Sequence, residues 1–543
     1  MKPISTLLLL AALIIPLTVN ARAEGSAPLS PIQEHIKKYC AQLEDSRIVK
    51  LEKRKVIGNE VIVSFYESLD YKPLWDKPKN RADLLDVLED SYFEGLDPED
   101  YHFEFIKSYN EEVKSGVQMD PVDQARADII MTDALLTYSL HMIQGKVNPA
   151  ELDPNWNYSE NKIPDNVEIN ILHRLQAESL KEGVDHIRSQ LRMYHQLKYW
   201  FARYDSIHKV DGEIKMIPYP GSPLRLGDSS PIVGEIKRSL SNYSNELSYD
   251  DDNQFDETLE SAIKEFQAEN GLKDDGIAGK ETFAAMNIPI SERLDIIRIN
   301  MERCRWVNNH IPEKFILVNI ADYNLYLIDN LEVAYQCRVV VGKQHHETPV
   351  FNSDIKYVVF NPTWTVPYSI SSKEILPKLK NDPRYLQDRN MTLLKGGNEV
   401  DPASVDFNKY SKNNFPFTIR QEPGPNNALG MVKFIFPNKH AVYLHDTPSK
   451  SYFEKTDRAF SHGCVRVHNP MVLAELLLAD KGYDQEKIAS TLKTKELKNV
   501  YLTEPLPVML MYLTSYQEDG KIYFYKDVYG RDKMILKELR EER

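Results

Sequence analysis

Cysteine is scarce in this 543-residue chain, which contains only Cys40, Cys304, Cys337 and Cys464. Four cysteines are too few to build a disulfide scaffold in a chain of this length. A basic excess is also missing, because 67 Lys and Arg face 81 Asp and Glu, a net charge of −14. This balance argues against nucleic-acid binding. The apolar content of 42% is that of a globular protein, and the length predicts about three domains.

Long apolar runs are absent after the first residues, and we expect no transmembrane span in the mature chain. The first run, Ile4–Val19, follows Lys2 and precedes an A-x-A sequence ending at Ala23. This order is typical of a secretory signal peptide, here over residues 1–23. An uncleaved anchor is the alternative, but the run is short and Pro16 interrupts it. We therefore expect a soluble periplasmic protein, in a compartment where an unpaired thiol is a liability unless it is used.

Residues 24–218 are predicted to form a helical scaffold domain. Apolar residues recur at helical spacing from Asp128 to Ile143, and Gly145 follows as a stop signal. No group of side chains in this segment predicts catalysis. The turn-rich stretch Pro218–Pro223 marks its end.

A small helical unit is predicted over residues 224–288. One helix face is formed by Leu259, Ala262, Ile263 and Phe266. The residues that follow are Gln267, Gly271-Leu272, Asp275-Gly276-Ile277 and Gly279-x-x-Thr282. This series resembles the signature of a peptidoglycan-binding module, which implies an all-α domain that binds peptidoglycan. The alternative is a structural brace without a ligand. Residues 289–311 are predicted to be a linker helix that returns to the scaffold.

From residue 312 to 516 the chain changes to short β-rich runs, such as Phe315–Ile320 and Cys337–Val341, which predict an antiparallel β domain. Residues 367–424 interrupt it with helix-forming and polar residues, and we expect an inserted helical lid. Residues 517–543 are left as a C-terminal extension. The predicted fold class is therefore α+β: a helical scaffold, a small all-α module and a mainly β domain with a helical lid.

Cys464 lies in the sequence Ser461-His-Gly-Cys-Val-Arg-Val467. Asn469 and Pro470 follow and predict the start of a helix. A helix N-terminus and the nearby Arg466 would both favour the thiolate of Cys464, the form that attacks a carbonyl carbon.

Two neighbours of Cys464 complete a candidate catalytic group. His445 follows the predicted strand Ala441–Leu444 and is a candidate to take the thiol proton and return it to a leaving group. Gly463 allows close approach of the backbone, so N–H groups around it are candidates to bind an oxyanion. Each residue alone also fits a structural role, since a lone cysteine is usually a small core residue.

Taken together, His445 and Ser461-His-Gly-Cys464 resemble the active-site motif of the L,D-transpeptidases. Further segments similar to the large Gram-negative members are Val339–Lys343, Thr348-Pro349, Asn361–Pro367, Pro423–Pro425, Asn427–Gly430 and His445–Pro448. Those members carry a helical scaffold and an embedded peptidoglycan-binding module, so the similarity covers nearly the whole mature chain.

The resemblance implies that Cys464 is the nucleophile and His445 the general base, with a backbone carbonyl near Asp446 orienting the imidazole. It implies attack after the diaminopimelate residue of a donor tetrapeptide, release of D-alanine, and transfer of the acyl group to a diaminopimelate amine of a neighbouring stem. The expected partners are peptidoglycan stem peptides and cell-wall synthesis enzymes. No cofactor is expected.

The roles of the surrounding residues stay open. His462 either shapes the cysteine turn or contacts substrate, and Arg466 either binds a substrate carboxylate or tunes the thiolate. Trp364 and Tyr443 are groove or core residues, and Ser461 is a candidate substrate-binding residue.

Two further clusters have alternatives. His345-His346 is not followed by a third ligand at a sensible spacing, so we expect no metal. Cys304 and Cys337 either form a disulfide or are two buried thiols.

Other functions share parts of this pattern. An L,D-carboxypeptidase that uses water as acceptor has the same acyl-enzyme chemistry, and the motif does not separate the two. A non-catalytic wall-binding protein is disfavoured by the intact motif, and attachment of wall peptides to an outer-membrane protein is a third alternative. His445 precedes Cys464, which argues against the other large class of cell-wall cysteine peptidases.

Overall fold

The computed structural model describes residues 28–45, 49–51, 54–56, 59–152, 158, 180–185, 187–189, 191–212, 215–241, 253–307 and 311–541. The predicted signal peptide lies outside these described residues. None of the helices within them is both long enough and apolar enough to cross a bilayer.

The N-terminal domain is helical, as predicted, and its helices share one apolar core. Its elements are α1 (Pro31–Asp45), β1 (Val49–Leu51), β2 (Arg54–Val56), α2 (Asn59–Ser68), α3 (Pro78–Asp90), α4 (Phe103–Lys114), α5 (Pro121–Gln144), α6 (Pro149–Leu152), α7 (Leu180–Asp185) and α8 (Arg192–Asp211), with 3₁₀ turns at Ser91–Glu94 and Pro98–Tyr101. Helix α5 is buried along most of its length. It begins after Asp120, whose carboxylate accepts the Val122 amide at 2.7 Å.

The small unit is all-α and has an apolar core of its own. It contains α9 (Pro231–Ser241), α10 (Glu257–Glu269) and α11 (Lys280–Met286). The buried amide of Gln267 donates to the Ile277 carbonyl at 2.9 Å and to the Thr282 hydroxyl at 3.1 Å, and it accepts the Gly276 amide at 2.9 Å. The motif residues therefore hold the loop that joins two helices.

Helix α12 (Ile290–Trp306) connects the scaffold to the C-terminal part of the chain. Asn300 donates to the Thr514 hydroxyl at 2.9 Å, and Arg303 pairs with Asp532 at 2.6 Å. On the same helix, Glu302 and Arg305 form a fully buried ion pair at 2.6 Å. Asn300 and Arg303 therefore connect α12 to the C-terminal segment. The Glu302–Arg305 pair instead faces the scaffold, where Arg305 donates to the Glu94 carbonyl at 2.8 Å, and a buried charge that loses its partner is costly.

The catalytic-domain candidate is a mainly β barrel. Its strands and helices are β3 (Lys314–Asn319), β4 (Asn324–Asp329), β5 (Glu332–Gly342), β6 (Phe351–Phe360), β11 (Val432–Ile435), β12 (Leu444–His445), β13 (Ala459–Ser461), β14 (Val465–Val467), α15 (Pro470–Leu478), α16 (Gln485–Lys493) and β15 (Lys498–Met511), with 3₁₀ turns at Lys450–Glu454 and Ala479–Lys481. The pairing order β5-β14-β12-β11-β6-β15-β3-β4 closes because β4 pairs with β5. The antiparallel prediction is wrong at three pairs, β12–β14, β13–β5 and β15–β3, which are parallel.

The lid insertion is a small mixed subdomain, so the prediction of a helical lid is wrong in part. Its elements are β7 (Trp364–Thr365), α13 (Tyr368–Ile370), a π turn (Ser371–Ile375), α14 (Leu376–Asn381), β8 (Met391–Lys395), β9 (Asn398–Glu399) and β10 (Thr418–Gln421), with 3₁₀ turns at Pro383–Tyr385, Gln387–Arg389, Pro402–Ser404 and Phe407–Lys409. The four strands form one sheet in the order β7-β10-β8-β9. A separate apolar cluster, which includes Leu379, Leu393 and Ile419, gives the lid its own core.

The last segment returns to the scaffold. Strands β16 (Ser515–Glu518) and β17 (Lys521–Phe524) form a hairpin, and α17 (Asp532–Arg540) follows. Ile522 and Phe524 lie in the scaffold core. The boundary expected between residues 516 and 517 therefore falls inside a strand, and the extension is part of the scaffold packing.

All four cysteines are unpaired. Cys304 is buried in the scaffold core and Cys337 in the barrel core. Of the two alternatives for this pair, buried thiols are the one observed.

Candidate active site

Three neighbouring strands carry the candidate catalytic residues on the outer face of the barrel. Lys433 on β11 is the register partner of His445 on β12, and His445 is the partner of Arg466 on β14. Their chain neighbours Phe434 and Val465 are buried in the barrel core. Because side chains alternate along a strand, Lys433, His445 and Arg466 form one row outside the barrel.

Cys464 and Tyr443 lie next to this row, where the Val465 amide donates to the Tyr443 carbonyl at 3.2 Å. From the strand spacings, the Cα atoms of Cys464 and His445 are about 8 Å apart on the same face. The thiol donates to the Ala441 carbonyl at 3.8 Å, and Tyr443 occupies the neighbouring position at the start of the adjacent strand. Within the described part of the chain, no hydrogen bond joins Cys464 to His445. Such bonds often form only when substrate is present.

His445 is held in one orientation and one charge state. Its Nδ1 donates to the carbonyl of Asp446, as the expected orienting contact requires. Since a carbonyl oxygen only accepts, Nδ1 carries the proton and Nε2 keeps its lone pair. Burial, and then the charges of Arg466 and Lys433, lower the pKa of His445 to about 3. The imidazole is therefore neutral at physiological pH and able to accept a proton.

Cys464 is a protonated thiol in this resting site. Burial raises its pKa, against hydrogen bonds from Tyr443 and the charges of Lys433 and Arg466. The expectation that the surroundings favour thiolate is therefore wrong for the free protein. One reason is that strand β14 separates Cys464 from helix α15, whose N-cap, Asn469, makes no side-chain capping bond.

The turn that presents Cys464 is built by Ser461 and Gly463. Gly463 has a φ of 110°, a conformation that favours glycine. The buried Ser461 hydroxyl accepts the Gly463 amide at 3.1 Å and donates to the Cys464 carbonyl at 2.5 Å. Thr348 donates to the Gly463 carbonyl at 2.9 Å. Ser461 is thus a structural residue, and the prediction that it binds substrate is wrong. The Gly463 amide is used within the turn, and oxyanion binding by the N–H groups around Gly463 and Cys464 stays a prediction.

His462 connects the cysteine turn to the lid. Its Nε2 lies 2.9 Å from an Oε1 oxygen of Glu374, which belongs to the lid's π turn. Its ring centroid lies 5.1 Å from that of His346. In the described ranges, no group of three or more His, Cys, Asp or Glu side chains is placed to hold a metal ion.

The other predicted substrate-binding residues lie in different surroundings. Trp364 is half-buried in lid strand β7, paired with Gln421 and packed against the lid core. Arg466 is half-buried, with its guanidinium 5.8 Å from the Tyr452 ring centroid. Tyr443 is half-buried and lies opposite Cys464 at the start of strand β12. Substrate binding by these three residues stays a prediction.

Sequence reasoning missed Lys433 and Glu374. Lys433 is the polar residue between buried Val432 and Phe434, a pattern that does predict an outward side chain. Nothing in the sequence, however, places strand β11 beside His445. Glu374 looked like one charge among many in a helix-forming run.

The fold and the site define a closed β barrel that carries a cysteine and a histidine on one outer face, joined to an inserted lid. Comparison with protein-family models is specific. Residues 313–485 match the L,D-transpeptidase catalytic domain, residues 60–200 a scaffold domain, and residues 229–286 a "Putative peptidoglycan binding domain". The chain therefore carries segments similar to an L,D-transpeptidase catalytic domain, a scaffold domain and a peptidoglycan-binding domain, the combination that the motifs predicted.

The chain is also similar to a Haemophilus influenzae protein described as a "Putative L,D-transpeptidase", with 37% identity over 254 residues. The match covers 46% of this chain and 51% of the relative, so the chain spans about half the length of the curated relative it matches.

Two solved L,D-transpeptidase structures are similar at 13% identity. That of Xylanimonas cellulosilytica is matched over 54% of this chain and 100% of its own, with a TM-score of 0.18. That of Stackebrandtia nassauensis is matched over 54% and 97%, with a TM-score of 0.21. The strand order of the closed barrel defines the fold of this domain.

Proposed function

We propose that the protein is a periplasmic L,D-transpeptidase that crosslinks peptidoglycan stems. The observation that supports this most is that the neutral, oriented imidazole of His445 and the thiol of Cys464 lie on one face of a domain similar to the L,D-transpeptidase catalytic domain. The peptidoglycan-binding domain is a second support, because it would hold the enzyme at its substrate.

The reaction begins with a proton transfer. A small rotation of the Cys464 side chain turns the thiol from Ala441 toward Nε2 of His445, which accepts the proton. The thiolate attacks the diaminopimelate carbonyl of the amide bond that joins diaminopimelate to D-alanine in a donor tetrapeptide. As the tetrahedral intermediate collapses, His445 returns the proton to the nitrogen of D-alanine, which leaves.

The acyl-enzyme is then resolved by an amine. A diaminopimelate amine of a neighbouring stem attacks the thioester, His445 takes its proton, and Cys464 is released as a thiol. The lid contact between Glu374 and His462 places the lid beside the acyl-enzyme, where it would favour an amine acceptor over water.

The test is incubation of residues 24–543 with purified tetrapeptide-containing muropeptides, followed by mass spectrometry of the products. Dimers joined through two diaminopimelate residues are expected. Tripeptide without dimers would replace the proposal with an L,D-carboxypeptidase, and no product would leave only a wall-binding protein. Cys337→Ala removes a buried thiol of the same domain and is the matched control for Cys464→Ala.

A further inference from the structure

Lys433 is a cation beside the reacting thiol that has no anionic partner in the described part of the chain. Its side chain is half-buried, and its ammonium lies 4.1 Å from the centroid of the Tyr443 ring. The other lysine near the dyad, Lys450, is paired with the carboxylate of Asp446. No hydrogen bond or ion pair of that kind is found for Lys433 among the described residues.

An ammonium that is partly removed from water without an acceptor costs free energy. Burial accordingly lowers the pKa of Lys433. Among the described residues, a negative charge on Cys464 is the influence that opposes this shift. The position is therefore unfavourable in the resting protein. It becomes favourable when a negative charge develops next to the lysine.

That negative charge has a defined place. Tyr443 connects the two groups. The Lys433 ammonium lies over its ring, and Tyr443 is the strand neighbour of Cys464, because Leu444 pairs with Val465 in parallel register. A cation over the face of a tyrosine that hydrogen-bonds a thiolate also polarises the hydroxyl toward the sulfur.

The two cations of the row act differently on the dyad. On the Cys464 thiol, Lys433 lowers the pKa more than Arg466 does. On the His445 imidazole, Arg466 lowers the pKa more than Lys433 does. Compared with Arg466, Lys433 therefore stabilises the Cys464 thiolate more and destabilises the His445 imidazolium less.

We propose that Lys433 is a catalytic residue whose ammonium is the counter-ion of the Cys464 thiolate. The inference rests on the proposed function for its role in turnover. In the step concerned, the S–H bond breaks, the proton goes to Nε2 of His445, and the electron pair stays on sulfur. Lys433 keeps all its protons throughout.

The test is the titration of the Cys464 thiol, followed by thiolate absorbance and corrected with Cys464→Ala. In Lys433→Gln and Lys433→Met, the midpoint is expected to rise by about one pH unit, the lower end for an opposite charge at short range. Lys433→Arg is expected to restore the midpoint. Lys498→Gln is the matched control, because Lys498 also lies over an aromatic ring, 5.6 Å from the Tyr483 centroid, but is exposed and far along the chain from the dyad.

A second measurement guards against misfolding and against charge effects on the imidazole. In the His445→Asn background, thiolate is the only reactive form, so adding Lys433→Gln is expected to slow iodoacetamide alkylation at pH 7 about tenfold. An unchanged titration midpoint together with an alkylation rate within twofold of the parent would overturn the proposal. An equal change of both quantities in Lys498→Gln would also overturn it. Alkylation needs no peptidoglycan, so failure of the crosslinking assay would remove the proposed function without deciding this result.

Discussion

His445 should stay neutral, and so able to accept a proton, at pH values well below those at which an ordinary histidine becomes protonated. With a pKa of about 3, His445 is about 0.3% protonated at pH 5.5, whereas an imidazole of pKa 6.5 is about 90% protonated. The sign follows from the direction of the shift: the neutral form is lost only as the pH falls through the lowered value. Between pH 5.5 and 8 the dyad therefore holds one proton, on Cys464.

The rate constant kcat/KM for acylation of Cys464 by a tetrapeptide donor reports this state. Because acylation passes the thiol proton to His445 and on to the leaving D-alanine within the site, kcat/KM is expected to be flat from pH 5.5 to 8. An unperturbed histidine would lose about tenfold over the same range. The background rate is accounted for by subtracting that of Cys464→Ala.

A variant makes the prediction sharper. In His445→Asn the thiolate forms only by ionisation to solvent, so the rate of its alkylation by iodoacetamide is expected to rise about tenfold for each pH unit up to pH 8. An acid limb with a midpoint between pH 6 and 7 in the wild-type chain would refute the buried, neutral imidazole. A flat profile in His445→Asn would show that this residue is not the base.

Three further substitutions test other parts of the site and fold. Tyr443→Phe removes the hydroxyl of the strand neighbour of Cys464, which is placed to donate a hydrogen bond worth about 1 kcal/mol to the thiolate, so alkylation of the thiol at pH 7 should slow about fivefold. Glu374→Gln weakens an exposed contact to His462 worth at most about 1 kcal/mol, so KM for a tetrapeptide donor should rise up to about fivefold while alkylation stays unchanged. Glu302→Ala leaves Arg305 buried without its carboxylate and should destabilise the packing of α12 on the scaffold by about 3–5 kcal/mol, seen as a lower Tm.

Two of these variants have a matched control. Tyr501→Phe removes an exposed hydroxyl of the same domain, and a comparable loss there would contradict the role of Tyr443. Glu332→Ala removes an exposed carboxylate 3.5 Å from Arg192 and should leave Tm unchanged. An unchanged Tm in Glu302→Ala would show that the buried pair does not stabilise the packing of α12 on the scaffold. Unchanged donor KM in Glu374→Gln would show that the lid contact does not affect substrate binding.

The sequence was most informative where a pattern is local. The turn at Gly463 and the helix after Asn469 were predictable, because glycine and proline act over a few residues. The strand before the candidate base was predicted over Ala441–Leu444, whereas the structure has it at Leu444–His445. The row that links Lys433 to Arg466 was not, because it depends on which strands become neighbours. Strand order is a long-range property that the local pattern does not contain.

The errors also have physical causes. Cys464 was expected to be a thiolate because a helix start and Arg466 lie close in sequence, but burial outweighs both. Ser461 was assigned to substrate although its hydroxyl is used within the turn. The lid was expected to be helical, yet the runs around Leu393 and Ile419 pair as strands because a shared core favours them over their local preference.

The central claim is that Cys464 carries the acyl group. Its most direct test is intact-mass analysis of residues 24–543 after rapid mixing with a tetrapeptide donor, with peptide mapping of the adduct. The account predicts an adduct equal to the donor minus D-alanine, on Cys464, formed together with free D-alanine and absent from Cys464→Ala. Release of D-alanine by Cys464→Ala, or an adduct on another residue, would contradict it.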